Sequence, residues 1–348
     1  MPKKDKRLSA SRIKTLQGCS WLYWAKYHLK LPDKTNTGAL RGTICHLVLE
    51  MILNKTRTKH YDEMVLAGTI KACPSVYRLV KKHAKALGDK HGFDLLDAEH
   101  MDLMDKMIVN AFNYDFFGQG HKSIKGEEEF LLENKDPEYR VLGYIDKSIE
   151  FEDNKYKIVD YKSSKSKFTD KELETNLQAM IYSLANKKKN KKAKSLVEFL
   201  FLKFARAASQ TVEFSDEELL GLEYYLSEVY KLINNFTEQE AKNSFAAHQP
   251  HPKKGEGFKG PLMCGFAKYP GQLKKDGNPM WHCAYKFPFE YYVLTEEESG
   301  DILKSSLELA DLPSAEEGQT VEKKQYAGCP CHKNVSTGKA DKDFDIFF

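Results

Sequence analysis

The sequence has no apolar run long enough to cross a bilayer, and nothing at its start reads as a signal peptide. Both absences argue against a membrane or secreted protein. A disulfide framework is also missing: seven cysteines in 348 residues is an odd and sparse set. That usage points to a reducing, cytoplasmic compartment. Nor is there an excess of one charge, since 54 Lys+Arg against 50 Asp+Glu leaves +4 at neutral pH. A polycation that coats nucleic acid indiscriminately is excluded, so any nucleic-acid footprint must be local. No internal repeat is found, which sets aside repeat architectures. What the chain does have is 41% hydrophobic residues, enough for one large core.

The most informative stretch runs from Tyr139 to Lys162, YRVLGYIDKSIEFEDNKYKIVDYK. Alternation with period two places Leu142, Tyr144, Asp146 and Ser148 on one face of a strand. Val141, Ile145, Ile149 and Phe151 fall on the other, which is the core face. A polar turn at Glu152–Lys155 leads to a second strand carrying Tyr156, Ile158, Asp160 and Lys162 on one face. A turn symmetric about Asp153 sets Asp146 opposite Asp160, with Cβ atoms roughly 4.5 to 5.5 Å apart. Two carboxylates so placed repel each other unless a positive charge lies between them, and hard carboxylate oxygens suit a divalent cation. A slip of one residue in register would send them to opposite faces. Asp160-x-Lys162 projects a carboxylate and an ammonium to the same side. An ion held by the acids polarises a phosphodiester while the lysine stabilises developing negative charge, which is the chemistry of phosphodiester hydrolysis.

Further short motifs stand in order along the chain: Ser9-Ala-Ser11 and Cys19, Gly42-Thr-Ile-Cys-His46 in an apolar helix over 38–53, Gly143-Tyr-Ile-Asp146, Asp160-Tyr-Lys162, and Gln178-Ala-Met-Ile-Tyr182. With these the chain resembles the RecB-like branch of the PD-(D/E)xK nuclease superfamily, the branch of the RecB and AddB nuclease domains and the CRISPR-adaptation exonucleases. The resemblance implies an α/β fold with a restriction-endonuclease-like mixed central sheet flanked by helices. It further implies that His46, Asp146, Asp160 and the Tyr161 carbonyl bind Mg2+ or Mn2+, that Lys162 is the catalytic lysine, and that Gln178 and Tyr182 support the site. The expected activity is that of a deoxyribonuclease, an exonuclease on DNA ends or single strands in recombination, repair or viral genome processing. A non-catalytic DNA-binding module or a sequence-specific endonuclease on the same fold are the alternatives.

One nuclease domain is expected over residues 1–312. It contains a helical insertion at 54–123 and a Cys/His-containing segment at 244–294. A strand is expected at 126–132, where one of Glu127, Glu128 and Glu129 would join the ion, and helices at 172–185 and 215–240. The basic run 186–194 reads as a solvated loop or a DNA backbone contact. Many relatives hold an iron–sulfur cluster on one early and three late cysteines, so Cys19, Cys264 and Cys283 would bind such a cluster or zinc. The fourth is missing, because Phe289 stands where a last cysteine is expected. His248, His251 or His282 would complete a zinc site, or the more distant Cys329 would reach back; the other reading is no metal at all. Thr295 and Glu298 form a capping-box pattern for a helix to about Leu312. From Pro313 a polar flexible tail over 313–348 is expected, ending in the acidic, aromatic Asp341–Phe348, which would dock into a protein partner.

Overall fold

The computed structural model describes residues 7–33, 35–54, 58–246 and 264–335. His248, His251 and the Asp341–Phe348 end lie outside these residues. The chain forms two compact units rather than the single domain expected. One contains Arg7–Ala10 and Thr35–Lys231, the other Ser11–Lys34 and the chain from Leu232 onward.

The chain opens with α1 (Ala10–Gly18) and α2 (Ser20–Tyr23), broken at Cys19 and continued by a π-helical turn at Trp24–His28. In the larger unit, α3 (Thr37–Leu53) starts where the Asn36 side chain accepts from Ala39 N. Helices α4 (Lys59–Ala67), α5 (Pro74–His91) and α6 (Ala98–Phe112) follow. Then come β1 (Ser123–Lys125), β2 (Glu128–Lys135), β3 (Glu138–Ile145), β4 (Lys147–Glu150) and β5 (Lys155–Lys162). Helices α7 (Asp170–Glu174) and α8 (Leu177–Lys189) precede β6 (Lys194–Phe201), β7 (Ser209–Val212) and α9 (Asp216–Asn234).

A five-stranded sheet in the order β1-β4-β5-β6-β7 organises this unit. It is mixed, because β5 and β6 run parallel while the remaining pairs are antiparallel. Parallel neighbours need a crossover, and α7 and α8 supply it. Strands β5 and β6 are buried through their C-terminal halves. One face packs on α3, α5 and α6 through Val159, Tyr161, Leu200 and Leu202. The other packs on α8 through Ile158, Val197, Phe199 and Phe201, against Ala179 and Tyr182. The architecture is the restriction-endonuclease-like α/β fold that the sequence leads one to expect.

Two local differences bear on the site. The strand expected to run unbroken through Asp146 is two strands: β3 pairs with β2 in a separate ribbon, and β4 joins the main sheet. The expected helix over 172–185 is likewise two helices, parted at Asn176, which caps α8 by accepting from Ala179 N.

The smaller unit contains α10 (Glu238–Ala241) and a sheet of β8 (Phe289–Glu296), β9 (Ile302–Ser306) and β10 (Gln319–Tyr326), ordered β10-β8-β9. The helix expected after Thr295 is therefore absent. Thr295 sits in β8 with its Oγ1 3.0 Å from Thr320 Oγ1 across the ladder, and the chain turns at Gly300, whose φ is +68°. Residues after Pro313 do not all belong to a polar tail, since Gln319–Tyr326 pairs along the whole of β8.

Candidate active site

Asp160 lies toward the C-terminal end of β5, beside Phe199 of β6, and is only 3% exposed. Lys147 pairs with Val159 and Ser148 with Ile158, the register of a turn centred on Asp153. Asp153 and Asn154 take left-handed φ values of 58° and 57°, conformations that Asp and Asn tolerate best among residues with a Cβ. Asp146 occupies the bend between β3 and β4, one step before the paired residues. The break frees its carboxylate to turn inward: Oδ2 accepts from Tyr161 N at 2.8 Å, and Oδ1 lies 3.2 Å from His46 Nδ1.

His46 arrives on α3, and Gly42 is what lets this helix come close. A Cβ at Gly42 would stand 2.8 Å from Ser163 Oγ and 3.3 Å from Ser163 Cβ, just past the end of β5. From α8, one turn apart, Gln178 and Tyr182 reach the same carboxylate. Gln178 Nε2 donates to Asp160 Oδ1 at 2.8 Å, and Tyr182 OH donates to the same oxygen at 3.0 Å. Lys162 Nζ donates to Gln178 Oε1 at 2.7 Å and lies 2.6 Å from Asp160 Oδ2. Gln178 thus bridges the acid and the ammonium, each of its amide atoms fixing one of them.

Electrostatics follow from this packing. Burial raises the Asp160 pKa, the Lys162 charge opposes that, and the Asp146 charge adds to it, leaving the carboxyl above its ordinary value. Burial disfavours a charged His46, but the hydrogen bond and charge of Asp146, with help from Asp160 and the Tyr161 backbone, outweigh it and raise the imidazole pKa. Burial foremost holds the Tyr182 hydroxyl well above the usual phenol range, so it acts as a donor.

The donor set suits a hard divalent cation: two carboxylates, one imidazole and a backbone carbonyl. Asp160 Oδ2 is buried, and the Lys162 ammonium stands 2.6 Å from it, a charge-assisted contact. His46, Asp146 and Asp160 do not bring three donor atoms within 4.8 Å of one another among the described residues.

The structure brings together all seven residues expected here: His46, Asp146, Asp160, Tyr161, Lys162, Gln178 and Tyr182. Other candidates are engaged elsewhere. Glu128 pairs with Lys189 at 2.6 Å, and Glu129 accepts from Tyr144 OH at 2.8 Å. The basic run is not a free loop: Lys187, Lys188 and Lys189 end α8 and pair with Asp216, Glu223 and Glu128. Sequence reasoning did not single out Ser163 as the partner of Gly42; its position directly after the Asp-x-Lys strand was the available signal.

In the smaller unit Cys19, Cys264 and Cys283 line one small cavity, together with Cys329 and His332. His282 does not line it; its Nδ1 lies 3.2 Å from Met280 O. β10 carries Cys329 and His332 back to the other cysteines.

The sequence profile of the PD-(D/E)XK nuclease superfamily matches residues 7–264. No curated protein matches the chain. Among solved structures, a "Putative exonuclease" from Eubacterium rectale is 10% identical with a TM-score of 0.40, covering 71% of this chain and 91% of its own. The protein SSO0001 is 15% identical with a TM-score of 0.25, covering 57% of this chain and 88% of its own. With the match extending over the helix that carries His46, the Asp146 bend, the Asp160-Tyr-Lys162 strand and the Gln178 helix, the chain belongs to the PD-(D/E)XK nuclease superfamily.

Proposed function

We propose that this protein is a magnesium- or manganese-dependent deoxyribonuclease that acts as an exonuclease on DNA ends or single strands. The observation that carries the reading is the buried Asp160: one oxygen is held by Gln178 and Tyr182, and Lys162 Nζ stands 2.6 Å from the other. A buried carboxylate beside a second, half-buried one and one lysine is costly for a protein that only binds DNA, and useful to one that neutralises a phosphate in the transition state.

His46, Asp146, Asp160 and the Tyr161 carbonyl would hold the ion, which when bound supplies Lewis acidity to water and to the scissile phosphate. Lys162, anchored by Gln178, holds its ammonium beside Asp160 and stabilises charge that develops on the phosphoryl oxygens. Gln178 and Tyr182 fix the rotamer of Asp160, so little reorganisation remains when substrate arrives. Asp146, gripped by Tyr161 N, keeps its other oxygen toward His46.

The test is cleavage of end-labelled linear DNA, single- and double-stranded, beside a closed circular control, with EDTA, magnesium or manganese. Mononucleotide or short products from linear DNA alone, only with the ion present, support the reading. Cutting of the circle would make the enzyme an endonuclease, and tight DNA binding without cleavage would make it a binding module.

A further inference from the structure

Two cysteines, Cys45 and Cys73, belong to the larger unit, and both are buried free thiols. Cys45 lies in the middle of α3, on its apolar side. Cys73 stands instead at the cap position of α5, where Ser, Thr, Asp or Asn ordinarily accepts a backbone N–H. Its sulfur does not cap the helix and lies 3.3 Å from Ser75 Oγ. What the sulfur also meets is the neighbouring helix. His60 and Glu63, three apart on one face of α4, bring a ring nitrogen and a carboxylate oxygen to it. The three donor atoms all lie within 4.8 Å of one another, and no other set of His, Cys, Asp and Glu side chains does this among the described residues.

The chain between the two helices is fixed by its own hydrogen bonds. Gly68 ends α4 in the left-handed region at φ +66°, its N–H donating to Val65 O at 3.2 Å. Thr69 Oγ1 and Ile70 N each donate to the Asp105 carboxylate of α6 at 2.7 Å, and Cys73 N donates to Ile70 O at 3.1 Å. Cys73 is buried, His60 half-buried and Glu63 exposed, so the donors form a graded set with sulfur innermost. Thiolate, imidazole and carboxylate together select a borderline-soft cation: magnesium and calcium take oxygen ligands, whereas zinc takes all three. Donors about 2.0–2.3 Å from one tetrahedral zinc ion stand roughly 3.3–3.8 Å apart, so a shift of about 1 Å in these side chains closes the set. The two anionic ligands match the charge of the ion, which leaves no net charge beside the core.

We propose that His60, Glu63 and Cys73 bind a zinc ion that clips α4 to the amino end of α5. On binding, the Cys73 thiol releases its proton to solvent and the sulfur bonds the ion in its place. Water fills the fourth position, on the side where Glu63 is exposed. The clip fastens the outer helices of the layer that also contains α3 and covers one face of the main sheet. No residue of the nuclease centre takes part, so the two readings stand or fall separately.

The full chain, stripped of metal by a chelator under reducing conditions, is followed by native mass spectrometry and amide hydrogen exchange as zinc is added. The wild type should bind one more zinc ion than His60→Ala or Glu63→Ala. Zinc at about 100 times its dissociation constant should slow exchange through local opening in 60–76 about 100-fold in the wild type, and in neither variant. Magnesium should leave 60–76 unchanged. His60 is half-buried and Glu63 exposed, so neither substitution opens the core, and Cys73 stays in place. Zinc taken up elsewhere in the chain is common to all three proteins and cancels in the comparison. Equal zinc counts in wild type and variants, exchange in 60–76 that zinc does not slow, or the same slowing by magnesium would each overturn the proposal.

Discussion

Replacing Lys162 with alanine removes the positive charge 2.6 Å from a carboxylate that is almost wholly buried. Breaking a fully buried ion pair from one side costs about 3–5 kcal/mol. Two features reduce that figure here. The Lys162 side chain is 23% exposed, so solvent screens part of the interaction, and Asp160 keeps its hydrogen bonds from Gln178 and Tyr182. The expected loss is about 2 kcal/mol, below the range for a fully buried pair. This deficit should depend on metal, because a divalent cation on Asp146 and Asp160 replaces the missing charge. Urea unfolding of wild type and variant in EDTA and in saturating magnesium measures it; the difference should shrink in magnesium. Cleavage should fall about 10²- to 10³-fold, the usual cost of removing one charge-stabilising donor. Wild-type cleavage by Lys162→Ala, or a deficit that magnesium leaves unchanged, would refute both the assigned role of Lys162 and the shared ion.

Tyr182→Phe deletes one of the two hydrogen bonds on Asp160 Oδ1. A bond to a charged group is worth about 1.5–3 kcal/mol, so kcat should fall roughly tenfold or more with little change in KM. Gly42→Ala should lose about 1 kcal/mol in thermal or urea unfolding, the crowding of Ser163 exceeding the gain in helix propensity. Gly42→Ala/Ser163→Gly should recover most of it; no recovery would show that the clash lies elsewhere. Lys147 is buried, donates to Phe116 O at 2.8 Å, and burial pushes its pKa down to about 7. Between about pH 7 and the ordinary lysine range the unfolded chain binds more protons than the folded one, so stability in EDTA should rise with pH. Lys147→Met should abolish that rise, as denaturation curves across the range would show.

Short-range pattern was enough for much of the site. Period-two alternation and the polar turn at Asp153 made the Asp146–Asp160 juxtaposition readable, because register in a tight hairpin depends on a few adjacent residues. The Gln178–Tyr182 pair was readable because residues four apart share a helix face. The break at Asp146 was not, since it depends on β3 and β4 joining different sheets. The Thr295–Glu298 pattern misled because a capping box is a local signal. Here the pairing of β8 with a strand more than twenty residues later outweighs it.

The sequence by itself determined the chemistry available: the acids, the lysine, the histidine, and the spacing that puts the acids and the lysine on one β-ribbon. Tertiary structure alone decided which distant groups meet them. His46 reaches Asp146 across 100 residues only because Gly42 lets α3 approach Ser163, and Cys329 reaches Cys19 only because β10 carries the chain back. Alternation and helical period act over a few residues, whereas such meetings depend on how whole elements bury their apolar faces.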